Sequence, residues 1–314
     1  MKMNTIYTML LMVSALLVSC NSTPDIQSTM LDSGSISYAI PDSLQKHLVS
    51  RYIPQPTNVQ KNTPVIIAAH GYTATTFEWD EFRDFADAAG TFYVSQVLLG
   101  GHGTSYADFK NASWETWQQS IKDEYRKLDS LGFKKIYLAG SSTGAPLIVN
   151  LVKSGFFNGF TTAPKGIFLV DPIIVSSNKT LTLVGLLGPV LGYTTVELST
   201  GEQGHWYVYR PQETLKQLMK LINQTRLDLE KGITLPAGTY LKVYKSRTDD
   251  VADPVSAFLI YKGMKTSTGG QIDVELVDSK IHVFTRLRGR EGVTAADTEL
   301  QQQVFAEMKA KMTE

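Results

Sequence analysis

The feature that most constrains this chain is the passage from the apolar run Lys135–Ala139 through Gly140, Ser141, Ser142, Thr143 and Gly144 into the apolar segment 143–152. A glycine two residues before Ser142 and another two residues after it suit a sharp turn between a buried strand and a helix, where the backbones pass too closely for side chains. Ser141 lacks glycines in that register and is the weaker candidate for a functional hydroxyl. A helix starting directly after the turn leaves its first amide groups free to face negative charge at Ser142. Pro146, in the first helical turn, costs no hydrogen bond there.

The surrounding pattern extends this unit into a repeating order. Strands are expected at Val65–Ala69, Thr91–Leu99, Lys135–Ala139, Gly166–Val170, Tyr240–Tyr244 and Ile272–Val277, with helical spacing at Thr75–Ala89, Trp114–Leu131, Thr143–Val152 and Pro254–Gly263. A last amphipathic helix carries Leu300, Val304, Phe305, Met308 and Met312. Strand, helix, strand is the rhythm of an α/β fold with a mostly parallel sheet and helices on both faces. One stretch, about 173–234, breaks the rhythm: a Leu-, Gly- and Thr-rich run (Leu181–Tyr193) precedes an amphipathic helix with Leu215, Leu218, Met219, Ile222 and Leu229, and no strand is evident. It reads as a helical cap over the carboxyl end of the sheet, where ligands bind in open α/β folds.

A serine hydroxyl needs a base to take its proton and an acid to orient that base. The histidines are His47, His70, His102, His205 and His282. Only His205 and His282 follow Ser142, and only His282 also follows the aspartates at the ends of the next strands, giving the order nucleophile, acid, base. After Tyr244, three aspartates compete. Asp249 is preferred because Val251, Ala252 and Pro254 then lead the chain down into a helix; Asp250 is second, and Asp171, after the preceding strand, is the alternative. The oxyanion hole calls for two backbone amides. Thr143 supplies one and Tyr72, after His70 and Gly71, the other, with His70 read as a brace for that loop. With Ser142 as nucleophile, the expected scheme runs through an acyl-enzyme.

From about Thr63 to the end, the chain resembles bacterial carboxylesterases and monoacylglycerol lipases of the α/β-hydrolase superfamily. The matching pieces are HGYTAT at 70–75, GGHGTSY at 100–106, LAGSSTGA at 138–145, SRTDDVADP at 246–254 and the His282 loop. The resemblance implies the α/β-hydrolase fold, a catalytic set of Ser142, Asp249 and His282, and Tyr72 as an oxyanion amide. The chain departs from the family in Thr143 after the nucleophile, Ala145 after the motif and Ile281 before the histidine. Serine aminopeptidases have related caps, so a peptidase or amidase with the same triad is the alternative activity, and a lipid-anchored binding protein without turnover a more distant one.

The amino terminus bears on location. Lys2 precedes an apolar stretch, Ile6–Val18, too short to span a bilayer but of signal-peptide length. It ends in Leu17, Val18, Ser19 and Cys20, which resembles the lipobox of bacterial lipoproteins. Residues 1–19 are thus expected to be a signal peptide, with Cys20 lipidated and the protein held on the membrane of a bacterial cell envelope. Residues 20–60 read as a tether with an edge strand or hairpin near Ile36–Ile40, and 61–314 as the hydrolase domain. Cys20 is the only cysteine, which excludes an internal disulfide and a cysteine-based metal site; no cofactor or metal is expected. Thirty basic against thirty acidic residues, without a basic run, argue against nucleic acid as a partner.

Overall fold

A computed structural model describes residues 24–35, 47–177 and 192–314. The signal peptide, Cys20, the segment Ile36–Ile40 and most of Leu181–Tyr193 lie outside these residues. In chain order the elements are α1 (Val49–Tyr52), α2 (Asn58–Asn62), β1 (Val65–Ala69), α3 (Asp80–Ala89), β2 (Tyr93–Val97), α4 (Tyr106–Asn111), α5 (Trp114–Ser130), β3 (Ile136–Ser141), α6 (Gly144–Lys153), β4 (Gly166–Val170), β5 (Tyr193–Thr195), β6 (Tyr209–Pro211), α7 (Gln212–Lys231), β7 (Ile233–Thr234), β8 (Tyr240–Ser246), α8 (Val255–Gly263), β9 (Met264–Lys265), β10 (Asp273–Val277) and α9 (Ala295–Thr313).

Six strands form one sheet in the order β10-β8-β4-β3-β1-β2, and every neighbouring pair is parallel. Strands β1, β3 and β4 are buried along their whole length, because helices cover both faces. Successive side chains of β1 feed opposite cores. Val65, Ile67 and Ala69 join α1, α5, α6 and α8 on one side, while Ile66 and Ala68 join Phe82 of α3 and Val304, Phe305, Met308 and Met312 of α9 on the other. Burial of these two layers fixes the height and tilt of the strand ends that carry the site.

Strands β2, β8 and β10 fall where the hydrophobic runs put them, within a few residues at each end. Three local features do not. The stretch read as free of strands contains β5 and β6, a short antiparallel pair in register from Tyr193↔Pro211 to Thr195↔Tyr209. Three-residue strands carry no period to read, and their pairing is fixed by contact with the cap helix rather than by local sequence. The end of the stretch expected as a tether, 20–60, contains α1 and most of α2. Val49 is fully buried, its N–H donates to Ser95 Oγ at 2.9 Å, and the Ser50 N–H reaches Glu124 Oε1 at 3.2 Å. Helix α4, with Ser105 capping it through the Asp108 N–H, lies in a segment that read as loop. Among the described residues no helix is long and apolar enough to cross a membrane.

The closest approach in the sheet lies at the start of α6. A Cβ placed on Gly144 would stand 2.4 Å from the Ala69 carbonyl oxygen and 3.1 Å from that of His70; one placed on Gly140 would stand 2.7 Å from the Gly144 carbonyl carbon. The two glycines therefore let α6 and the ends of β1 and β3 meet, as the sequence required. Gly144→Ala should lower the unfolding free energy by about 1–3 kcal/mol through forced backbone displacement. Urea denaturation checks this, and an unchanged midpoint would show that the turn has slack.

Candidate active site

The backbone at the carboxyl end of the sheet is strained at particular points. Among the described residues the non-glycine positions with left-handed φ are Thr73 (65°), Ser142 (47°), Asp171 (44°) and Val283 (55°), and all four gather here. Ser142 sits at the tip of the β3–α6 turn. Its N–H donates to the Val170 carbonyl at 3.0 Å, and its carbonyl accepts from the Ile173 N–H at 3.3 Å. The next amide belongs to Thr143, the cap residue of α6, so the positive end of that helix faces the serine.

Ser142, Thr143, Tyr72 and His282 line one cavity of about 220 Å³, together with Ile173, Leu198, Trp206, Leu215 and Leu218. The apolar lining from 198 to 218 comes from the segment expected as a cap, which forms one wall of the cavity. Tyr72 is tied to the cap by its hydroxyl, 2.7 Å from Thr214 Oγ1 of α7. The N–H groups of Tyr72 and Thr143 have no acceptor among the described residues, and both belong to the cavity lining. Ser141 is buried beneath the turn, its hydroxyl donating to Glu78 Oε1, which also accepts from the Gly71 N–H at 2.8 Å.

The three loops that follow β4, β8 and β10 meet beside Ser142. His282 Nδ1 donates to Asp249 Oδ2 at 2.7 Å, leaving Nε2 on the side of the ring away from the carboxylate. Asp249 Oδ1 accepts from the N–H groups of Val251 (2.8 Å) and Ala252 (3.1 Å), which fixes the carboxylate plane. Burial alone would raise the pKa of Asp249, but its hydrogen bonds from His282 and Lys245 outweigh that and hold it well below the usual carboxylate range. Asp250, the neighbouring candidate, is exposed. No hydrogen bond joins Ser142 to His282 among the described residues; they share the cavity rather than a direct contact.

Two further residues complete this cluster: Lys245, which pattern reading did not single out, and Asp171, which it offered as the alternative acid. Lys245, fully buried, donates from Nζ to Asp249 Oδ2 at 2.6 Å and to Asp171 Oδ1 at 2.9 Å. Asp171 also accepts from the Ser246 N–H (2.7 Å) and the Val283 N–H (2.8 Å), so it holds the loop of the base. Its place is therefore structural support beside the Asp249–His282 pair, not contact with the histidine ring. The local hint for Lys245 was a lysine directly after the run Tyr240–Tyr244. Asp171, Asp249 and His282 have ligand atoms within 4.8 Å of one another, yet the Lys245 ammonium already occupies the cationic position between the two carboxylates.

The other histidines have different surroundings. His70 is fully enclosed, with Nδ1 2.8 Å from the Gly71 carbonyl and Nε2 accepting the Leu99 N–H at 3.1 Å. Burial pushes its pKa down to about 4, so it is neutral and braces the loop that carries Tyr72. His102 is buried against Phe109 and Trp117, His205 stacks on Phe77 at 3.8 Å, and His47 meets Arg83.

Comparison with known proteins agrees with this geometry at the level of fold. The chain is 26% identical over 227 residues to the thermostable monoacylglycerol lipase of Bacillus sp. strain H-257, a match covering 72% of this chain and 85% of that protein. It superposes on a soluble variant of monoglyceride lipase from Saccharomyces cerevisiae with a TM-score of 0.64, at 12% identity, over 82% of this chain and 88% of the other. A structure from work on two metagenome-derived lipolytic enzymes, LipS and LipT, gives a TM-score of 0.63 at 18% identity, over 79% and 94% of the two chains. No protein-family model matches the chain. The chain has the α/β-hydrolase fold.

Removing Lys245 leaves two buried carboxylates facing each other. Lys245→Met should cost about 3–5 kcal/mol of stability. The double variant Lys245→Met/Asp171→Asn should recover part of that loss. Equilibrium unfolding of the three proteins decides it, and additive losses would mean that the ammonium and Asp171 are not coupled.

Proposed function

We propose that this protein is a serine hydrolase that cleaves carboxylic esters through an acyl-enzyme intermediate. The observation that carries the reading is the pairing of Asp249 with His282 Nδ1 beside a cavity that also holds Ser142 on a strained turn. The similarity to a monoacylglycerol lipase supports an ester as the bond cleaved.

In this mechanism Ser142 Oγ attacks the ester carbonyl carbon while His282 Nε2 takes the hydroxyl proton. Asp249, kept ionised by its hydrogen bonds from His282 and Lys245, orients the ring and stabilises the imidazolium. The N–H groups of Tyr72 and Thr143 receive the oxyanion, each such donor contributing on the order of 3 kcal/mol to the transition state. His282 then gives its proton to the departing alkoxide, the alcohol leaves, and water repeats the sequence to release the acid and free Ser142. The apolar wall from the cap excludes bulk water from the acyl group.

Ser142 should be labelled covalently by a fluorophosphonate, and Ser142→Ala should lose hydrolysis of short nitrophenyl esters by roughly 10³-fold or more. Wild-type protein that neither labels nor hydrolyses any ester of a chain-length series would overturn the reading. Matched amides in the same series separate ester from peptide-bond cleavage, and the expected outcome is turnover of the esters alone.

We further propose that residues 1–19 are removed and that Cys20 carries the lipid anchoring the enzyme to a bacterial envelope membrane. The support is the placement of the only cysteine directly after Leu17, Val18 and Ser19. Metabolic labelling with palmitate should mark the wild type and not Cys20→Ser, and label on both would refute the assignment.

A further inference from the structure

The cavity is more charged than a pocket for a plain acyl chain needs to be. Arg210, Arg286 and Arg290 line it, as do Glu78, Glu197 and Glu202. Each acid is hydrogen-bonded or exposed. Glu202 is paired with Arg286 at 2.5 Å, Glu78 accepts from Gly71 and Ser141, and Glu197 is exposed.

Neither of the remaining two arginines is hydrogen-bonded to a carboxylate among the described residues. Arg290 donates Nε to the Arg286 carbonyl (2.8 Å) and Nη2 to the His282 carbonyl (2.5 Å), which are neutral acceptors. Arg210, carried on β6 of the cap, has a buried Nε without an acceptor and no ion pair among the described residues. Residues 178–191 contain no Asp or Glu that could supply one. Burial lowers the pKa of both guanidiniums, which nonetheless stay charged at neutral pH. A buried guanidinium N–H without an acceptor is costly to keep, and the natural complement of the Arg210 fork is an oxyanion that accepts two parallel N–H bonds.

We propose that the ester received by this site carries a carboxylate, bound by Arg210. This rests on the esterase reading and narrows it to acidic esters with a short apolar stretch, in keeping with the Ile173, Leu198, Leu215, Leu218 and Trp206 walls. Arg210 then sets specificity, while the reaction itself proceeds at Ser142.

The test uses two pairs of esters. Methyl hemiglutarate and 4-acetoxybutanoate place the carboxylate on the acyl and alcohol sides respectively, and each is matched by an analogue with an isopropyl group in place of the carboxylate. In at least one pair, wild type should favour the acidic ester in kcat/KM. Arg210→Met should lower that preference roughly tenfold or more, chiefly through KM, and Arg210→Lys should restore part of it. Should Arg210→Met not fold, competitive inhibition of the wild type by glutarate but not glutaramide gives the same answer. Neutral analogues turned over at least as well as the acidic esters in both pairs, with no inhibition by glutarate, would overturn the proposal and leave the esterase reading standing. Absence of turnover on all four esters, together with absence of fluorophosphonate labelling, would instead overturn the esterase reading and this proposal with it.

Discussion

The interaction on which the rest of the site depends is the ammonium of Lys245 held between the carboxylates of Asp171 and Asp249. All three groups are cut off from solvent, where isolated charges cost several kcal/mol each. Together they form a closed arrangement in which one cation divides its attraction between two anions, and backbone amides from Ser246, Val251, Ala252 and Val283 satisfy much of what remains. The cluster ties the end of β4 to the loops after β8 and β10. Asp249 and His282 therefore meet at 2.7 Å although they belong to separate strands.

The same joint explains where the backbone is strained. Asp171 and Val283 hold left-handed φ values and are linked to each other through the Asp171 carboxylate and the Val283 N–H. Ser142 is held by Val170 and Ile173 on either side of Asp171. Strain of about 1–3 kcal/mol at each such residue persists only where the surroundings over-determine the conformation. Here the buried ion cluster, the glycine clearances at 140 and 144, and the sheet itself all press toward one geometry. The stiffness is confined to the floor of the cavity. Its roof is the cap, joined to the floor by Tyr72 and Thr214 and contributing Arg210 and the apolar wall.

Much of this was legible in order along the chain. The runs that became β1, β3, β4 and β8 are short, apolar and bounded by turn residues, so burial in a parallel sheet left a mark that can be read locally. The turn at Ser142 was legible because its glycines answer a steric demand within five residues. Asp249 stood out from Asp250 because Val251, Ala252 and Pro254 after it lead the chain into a helix, and in the structure Asp249 is buried while Asp250 is exposed. By contrast, α1 and α2 were hidden in a polar stretch. Their places are set by partners far away in sequence, such as Glu124 for Ser50 and Ser95 for Val49.

By itself, then, the sequence determined the α/β order, the strand–turn–helix at Ser142 and the short set of residues from which a site could be drawn, since each follows from local sterics and hydrophobic period. Only the tertiary structure decided which acids and bases meet. Lys245 reaches Asp171 across 74 positions of chain, and Glu78 reaches Ser141 across 63. Nothing local distinguishes a lysine that will be enclosed by two carboxylates from one that will face water, because the energy of a buried charge depends on partners that folding alone brings near.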